Sequence, residues 1–261
     1  ESIRYLFGGD LLRQGVATSM GVETLQIQMF GLYGACSTSG EALALASMSV
    51  AAGYGERMLA VTSSHFGSAE KEFRFPLGYA NQRPLSAHWT VTGSGAFIVG
   101  KNRSHVRITG VTVGKIVDYG LKDSQNMGAC MAPAACDTII QNLEDFERKE
   151  TDYDRIITGD LGYVGQSILF DLMRGKEHDI KINHMDCGMT IFDQNLQDTH
   201  AGGSGCGCAA ATLSAYILPK ISRGEWKRVL FVPTGALMST VSYNEGASVP
   251  GIAHGIVLEH C

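Results

Sequence analysis

Gly34-Ala35-Cys36-Ser37-Thr38-Ser39-Gly40 runs into Glu41-Ala42-Leu43-Ala44-Leu45-Ala46-Ser47-Met48-Ser49-Val50-Ala51-Ala52-Gly53, and this stretch decides the fold. A cysteine set among small residues opens a helix that is apolar on nearly every side, so the helix is predicted to be buried on all sides. Backbone N–H groups and the helix dipole at such a terminus stabilise an anion, which would make Cys36 an acidic, nucleophilic thiol. A small cysteine packed in the core gives the same local pattern. Both readings stand on this stretch alone.

The rest of the chain narrows the setting. Its 261 residues can bury a sizeable core as one large domain or two fused halves. With 44% hydrophobic and 18% charged residues, a net charge of −5 and no basic run, a nucleic-acid partner is not expected. No run of apolar residues is long enough to span a membrane, and the first residues lack a secretory leader. Seven cysteines, an odd number without a framework spacing, point to reduced thiols. Cys206-Gly207-Cys208 is a close pair without the second pair that a zinc site needs, so neither a metal site nor a cofactor is expected.

Taken in order, strands are predicted at residues 3–7, 58–64, 90–100 and 105–119, with a polar loop over 65–89 carrying His65, Arg74, Arg83 and His88. Helices follow at 134–149 and 166–173, separated by a strand at 153–159 that ends at Asp160. The last third repeats the opening. A glycine turn, Gly202-Gly203-Ser204-Gly205-Cys206-Gly207, leads into a second helix apolar all round. Arg228-Val229-Leu230-Phe231-Val232 then matches Arg57-Met58-Leu59-Ala60-Val61, and residues 249–259 echo residues 91–100. Three matched elements in the same order predict two homologous halves, 1–102 and 103–261, each with a central helix covered by sheets on both faces.

This arrangement resembles the superfamily of thiolases and ketoacyl synthases, which implies an α/β fold of two homologous halves in five αβαβα layers. In that superfamily a cysteine heads the buried helix of the first half, as Cys36 does here, and a histidine precedes a glycine turn in the second, as His200 does in Thr199-His200-Ala201-Gly202-Gly203. Asp160 takes the place where those enzymes carry Asn or His, and Val232 stands where thiolases carry a second, basic cysteine. Valine transfers no proton, and an ionised aspartate opposes a developing oxyanion. The opening strand, helix and strand of the superfamily's first half are expected upstream of residue 1.

Within the superfamily, four runs resemble the stage V sporulation protein AD family: residues 34–41, Phe75-Pro76-Leu77-Gly78-Tyr79-Ala80-Asn81-Gln82-Arg83-Pro84, Asp186-Cys187-Gly188-Met189-Thr190-Ile191-Phe192-Asp193 and residues 199–208. The resemblance implies a non-catalytic protein of the developing spore that binds dipicolinic acid (pyridine-2,6-dicarboxylate) or its calcium chelate. It also implies peripheral association with the inner membrane, membrane-protein partners from the same sporulation operon that take part in dipicolinate uptake, and a homodimer. Cys36 and His200 are then expected at one carboxylate and Arg83 and Arg74 at the other, with surface ion pairing the alternative for both arginines. Asp160 either orients His200, coordinates calcium or satisfies a turn or helix cap; Asp186 and Cys187 are placed along the same cleft, with core packing the alternative for Cys187. The competing expectation is an acyltransferase with Cys36 as nucleophile and His200 as proton carrier.

Overall fold

The computed structural model describes residues 2–12, 15–73 and 83–261. Two sheets form its frame. In the first, the strands run in the order Met29–Gly31, Tyr5–Gly9, Arg57–Ser64, Gly93–Gly100. In the second, the order is Val106–Thr112, Gly255–His260, Arg228–Val232, Arg155–Thr158, His184–Asp186. Each sheet holds three neighbouring parallel strands and then turns antiparallel at the next: Arg57–Ser64 against Gly93–Gly100, and Arg228–Val232 against Gly255–His260. The matched runs of the sequence therefore occupy matched places in the two sheets.

Two helices lie between the sheets. Thr38–Ala51 and Cys206–Thr212 share one core cluster, in which Ala42, Leu43, Ala46 and Val50 meet Cys208, Ala209 and Leu213. Small residues at these positions let the two backbones and the sheets approach closely. On the outer face of the second sheet, Met127–Asp145 packs on Gly162–Arg174 around Ile139, Leu169 and Met173. On the outer face of the first, Val16–Val22 covers Tyr5–Gly9 and Arg57–Ser64. The result is the five-layer α/β architecture.

Several elements differ from the sequence reading. The strand expected over 105–119 ends at Thr112, because Gly114 sits against the Ala253 carbonyl, leaving no room for a Cβ. The helix expected from 134 begins at Met127, where Asn126 caps it by accepting from the Ala129 N–H, and it carries Pro133 in its interior. The loop expected over 65–89 contains a helix, Phe66–Phe73, whose first turn is capped by His65 Nδ1 accepting from the Ser68 N–H. The second central helix changes to a π turn at Leu213–Ile217 just before Pro219, a residue with no N–H to give.

Candidate functional site

Cys36 sits in a short turn, Ala35–Ser37, that enters the first central helix. Ala35 holds φ at 51°, a left-handed conformation that an alanine adopts only when its surroundings impose it. The imposing contact is Gly235, where a Cβ would stand 2.2 Å from the Gly34 carbonyl oxygen. The second half is thus pressed directly against the cysteine turn.

Around the thiol, three residues of the second half converge. Ser204 Oγ lies 3.6 Å from Cys36 Sγ. Asp160 neighbours the same sulfur closely enough to act on it electrostatically. Cys206 completes the wall, in a small apolar cluster with Cys36, Leu11 and Ala69, and its own thiol donates to the Ser63 carbonyl at 3.0 Å. Asp160 is held from both sides: Oδ2 accepts from the Gly205 N–H at 2.9 Å and Oδ1 from the Thr234 hydroxyl at 2.7 Å. Ser204 and Thr234 carried no motif by themselves; their signal was only their nearness to the glycine turn and to the strand that begins with Arg228.

The electrostatics run against a thiolate. Burial, followed by the neighbouring Asp160, pushes the Cys36 thiol well above its ordinary range. Burial raises Asp160 to about 6, against which its bonds from Gly205 and Thr234 act only partly. A short turn buried beside a carboxylate outweighs the helix terminus, so the acidic thiol expected from the sequence is replaced by a neutral one.

The other expected site residues fall elsewhere. His200 contacts the Pro84 carbonyl through Nδ1 at 3.0 Å and Asp198 through Nε2 at 3.3 Å, and neither Cys36 nor Asp160 is among its partners. The second half meets the cysteine through Ser204 and Asp160, and His200 is not among the partners of Asp160. Arg83 is not offered to a ligand carboxylate: Nη2 pairs with buried Glu70 at 3.1 Å, Nη1 donates to the His88 carbonyl at 2.7 Å, and the guanidinium lies 4.1 Å over the Trp89 ring. Arg74 lies outside the described residues. Asp186 does not line the cleft. Its carboxylate accepts from the Thr158 hydroxyl and from the Leu161, Gly162 and Met189 N–H groups, fixing the turn that carries Asp160. Cys187 packs fully buried in the core.

Beyond Ser204 a narrow pocket opens, lined by Ala87, His88, Thr90, Ser124, Gln125 and Met127, with room for little more than a water-sized group. Its floor is made by both halves, because Trp89–Thr90 pairs in parallel with Gly203–Ser204. Among the described residues no group of three or more His, Cys, Asp or Glu side chains could hold a metal ion. No helix among them is long and apolar enough to cross a membrane.

Comparison with known proteins agrees with this architecture. Among solved structures, the chain is similar to a variant of OleA from Xanthomonas campestris bound with cerulenin (12% identity, TM-score 0.64, 99% of this chain and 74% of that one). It is also similar to AbyA1, a tetronic acid condensing enzyme (15%, 0.63, 98% and 78%), and to 3-oxoacyl-[acyl-carrier-protein] synthase III from Aquifex aeolicus VF5 (13%, 0.60, 99% and 77%). At these identities the likeness is one of fold. In sequence, it is 42% identical over 259 residues to stage V sporulation protein AD of Bacillus subtilis (strain 168), covering 99% of this chain and 76% of that protein. The family described as stage V sporulation protein AD matches residues 1–259. On a match that spans nearly its whole length, the chain belongs to the stage V sporulation protein AD family and is a sporulation protein.

Proposed function

We propose that this protein binds dipicolinic acid, as the dicarboxylate or its calcium chelate, in the cleft between Cys36 and the His88 pocket, and that it works in dipicolinate uptake into the spore with membrane partners. The observation that carries a binding role over a catalytic one is the state of Cys36. A nucleophile for acyl transfer must ionise, whereas this thiol is buried, set against Ser204 and raised in pKa by burial and by the neighbouring Asp160. Asp160 also stands where transferring enzymes of this fold carry a neutral residue. The narrow pocket is edged by hydroxyl and amide groups from Ser204, Ser124 and Gln125, which can hydrogen-bond a carboxylate, and it must widen to admit a flat ring. With Asp160 nearby, a dicarboxylate enters with its charge offset, by chelated calcium or by protons.

Calorimetry with dipicolinate on the wild type and on Cys36→Ala, Ser204→Ala and His200→Ala tests this reading. The wild type is expected to bind, with weaker binding in Cys36→Ala and Ser204→Ala. Equal affinity in all of them sinks the pocket assignment, and no heat from the wild type sinks the ligand. The acyltransferase alternative is tested by incubation with acyl-coenzyme A: a mass increase on the Cys36 peptide with turnover would replace the binding role.

A further inference from the structure

Behind Asp160 the hydrogen bonds close into a ring. Asp186, which ends the strand His184–Asp186, lies opposite Thr158 at the end of Arg155–Thr158. Its Oδ2 accepts from the Thr158 hydroxyl at 2.6 Å and the Leu161 N–H at 2.9 Å, and its Oδ1 from the Gly162 N–H at 3.1 Å and the Met189 N–H at 3.2 Å. The Thr158 oxygen also lies 3.0 Å from His184 Nε2, and His184 Nδ1 lies 2.9 Å from Gln166 Nε2. Gln166 belongs to the helix Gly162–Arg174, whose first N–H Asp186 holds, so the ring ends where it began. Phe170 of the same helix meets the His184 ring edge-on at 5.2 Å and keeps it in place.

Chemistry sets the direction of each bond. A backbone N–H only donates, so the oxygens of Asp186, met by three of them and a hydroxyl, are those of a carboxylate. The Thr158 proton is then spent on Asp186, its oxygen accepts from His184 Nε2–H, and the bare Nδ1 accepts from the Gln166 amide. The reverse sense would need a protonated Asp186, with less acceptor capacity for the same N–H groups. Burial keeps the imidazole neutral, with His184 lowered to about 3. Burial also pushes Asp186 up, and its four donors act against this.

We propose that this relay, from Gln166 through His184 and Thr158 to Asp186, positions Asp160 at the sulfur of Cys36, which makes Thr158 and His184 positioning residues of the site. Asp160 lies between Thr158 and Leu161, and both of these give their hydrogen bond to one oxygen, Asp186 Oδ2. The chain is thus pinned on either side of Asp160, while Gly205 and Thr234 only take up its carboxylate once it is there. The inference goes beyond the binding reading and holds for any ligand of the site.

The test is iodoacetamide labelling of Cys36, read by mass spectrometry, in the wild type, Thr158→Val, Thr158→Ser, His184→Phe, Asp160→Asn and the double variant Thr158→Val/Asp160→Asn. Thr158→Val and His184→Phe are expected to speed labelling toward the rate of Asp160→Asn. The double variant is expected within about twofold of Asp160→Asn, and Thr158→Ser, which keeps the hydroxyl, within about twofold of the wild type. A wild-type rate in Thr158→Val or His184→Phe overturns the proposal, as does a Thr158→Ser protein labelled as fast as Thr158→Val. Effects that multiply in the double variant overturn it too, because general loosening of the fold adds to the loss of Asp160 whereas its displacement does not. Should Thr158→Val not fold, nitrogen-15 histidine spectra of the wild type decide. His184 must show a protonated Nε2 and a bare Nδ1 from about pH 5 to about pH 8, and the opposite tautomer or an imidazolium overturns the proposal.

Discussion

The sulfur of Cys36 and the carboxylate of Asp160, 124 positions apart in the chain, are neighbours in the interior of the protein. Asp160 raises the cost of charge on the thiol, whereas Asp160 itself is raised by burial and the neutral thiol eases its charge. The pair is therefore expected to hold one proton firmly and to resist electrophiles. Alkylation of the Cys36 peptide by iodoacetamide, followed by mass spectrometry, should be slow in the wild type and faster in Asp160→Asn, by about tenfold for each unit of pKa released. Equal rates would show that Asp160 contributes nothing to holding the thiol neutral.

Acid stability should follow the buried histidines. His184 is lowered to about 3 and His88 to about 4 by burial, from an ordinary 6.5. The folded protein therefore binds fewer protons than the unfolded chain between 6.5 and those values, so stability is lost as pH falls through this window, by about 1.4 kcal/mol per pH unit for each histidine. Asp160, raised to about 6 from 3.8, works in the opposite direction between those two values, since its folded form holds the proton more tightly. Asp186 and Glu41, raised by burial, oppose the histidines in the same way as Asp160, and His254, lowered by burial, acts with them. The test is therefore the difference: in urea unfolding the wild type should lose stability relative to His88→Gln as pH drops from about 6.5 toward about 4.

The Arg83–Glu70 pair is expected to matter for stability rather than for ligand charge. Both side chains are buried, at 8% and 1% exposure, and Glu70 also accepts from the Thr90 hydroxyl. Glu70→Gln leaves the guanidinium without its buried counter-charge and should cost about 3–5 kcal/mol in urea unfolding. A loss under about 1 kcal/mol would mean that the pair behaves like a surface one.

Gly235→Ala should damage the site more than its size suggests. The added methyl group meets the Gly34 carbonyl and the Ser37 N–H at the turn of Cys36. Loss of about 2 kcal/mol or more in stability, together with weaker dipicolinate binding, is expected. Native affinity in a folded Gly235→Ala protein would show that the turn does not position the cleft.

A second copy of the chain is expected at the strand Met29–Gly31, which forms an edge of the first sheet. Phe30 there is 53% exposed although it stacks on Phe7 at 5.2 Å, and Met20 and Leu25 nearby in the chain are exposed as well. Light scattering should give twice the chain mass for the wild type and the single mass for Phe30→Asp. A wild-type monomer would remove the homodimer.

Much of the fold was legible because it is written in local composition. The apolar helix after Cys36, rich in small residues, and its counterpart after Gly205 call for close packing, and the repeated order of turn, helix and strand marks the two sheets. The site was legible only in part. Cys36 and Asp160 stood at recognisable places, but the meeting of Asp160 rather than His200 with the cysteine depends on the turn that Asp186 fixes from another strand. Arg83 read as a cation for the ligand because nothing nearby in the sequence shows that Glu70, 13 residues earlier, closes on it in space. Thr234 and Ser204 are too common to signal anything until both sheets are in place.

The short parallel ladder between Trp89–Thr90 and Gly203–Ser204 has a kinetic consequence. Cys36, Asp160, Ser204 and Thr234 meet only after this ladder and the contact of Gly235 with Gly34 have joined segments more than 100 residues apart, and such distant closures are entropically slow. Each sheet can gather most of its own strands beforehand from nearer neighbours. During refolding, protection of the Cys36 thiol is therefore expected to come late, together with the joining of the two sheets.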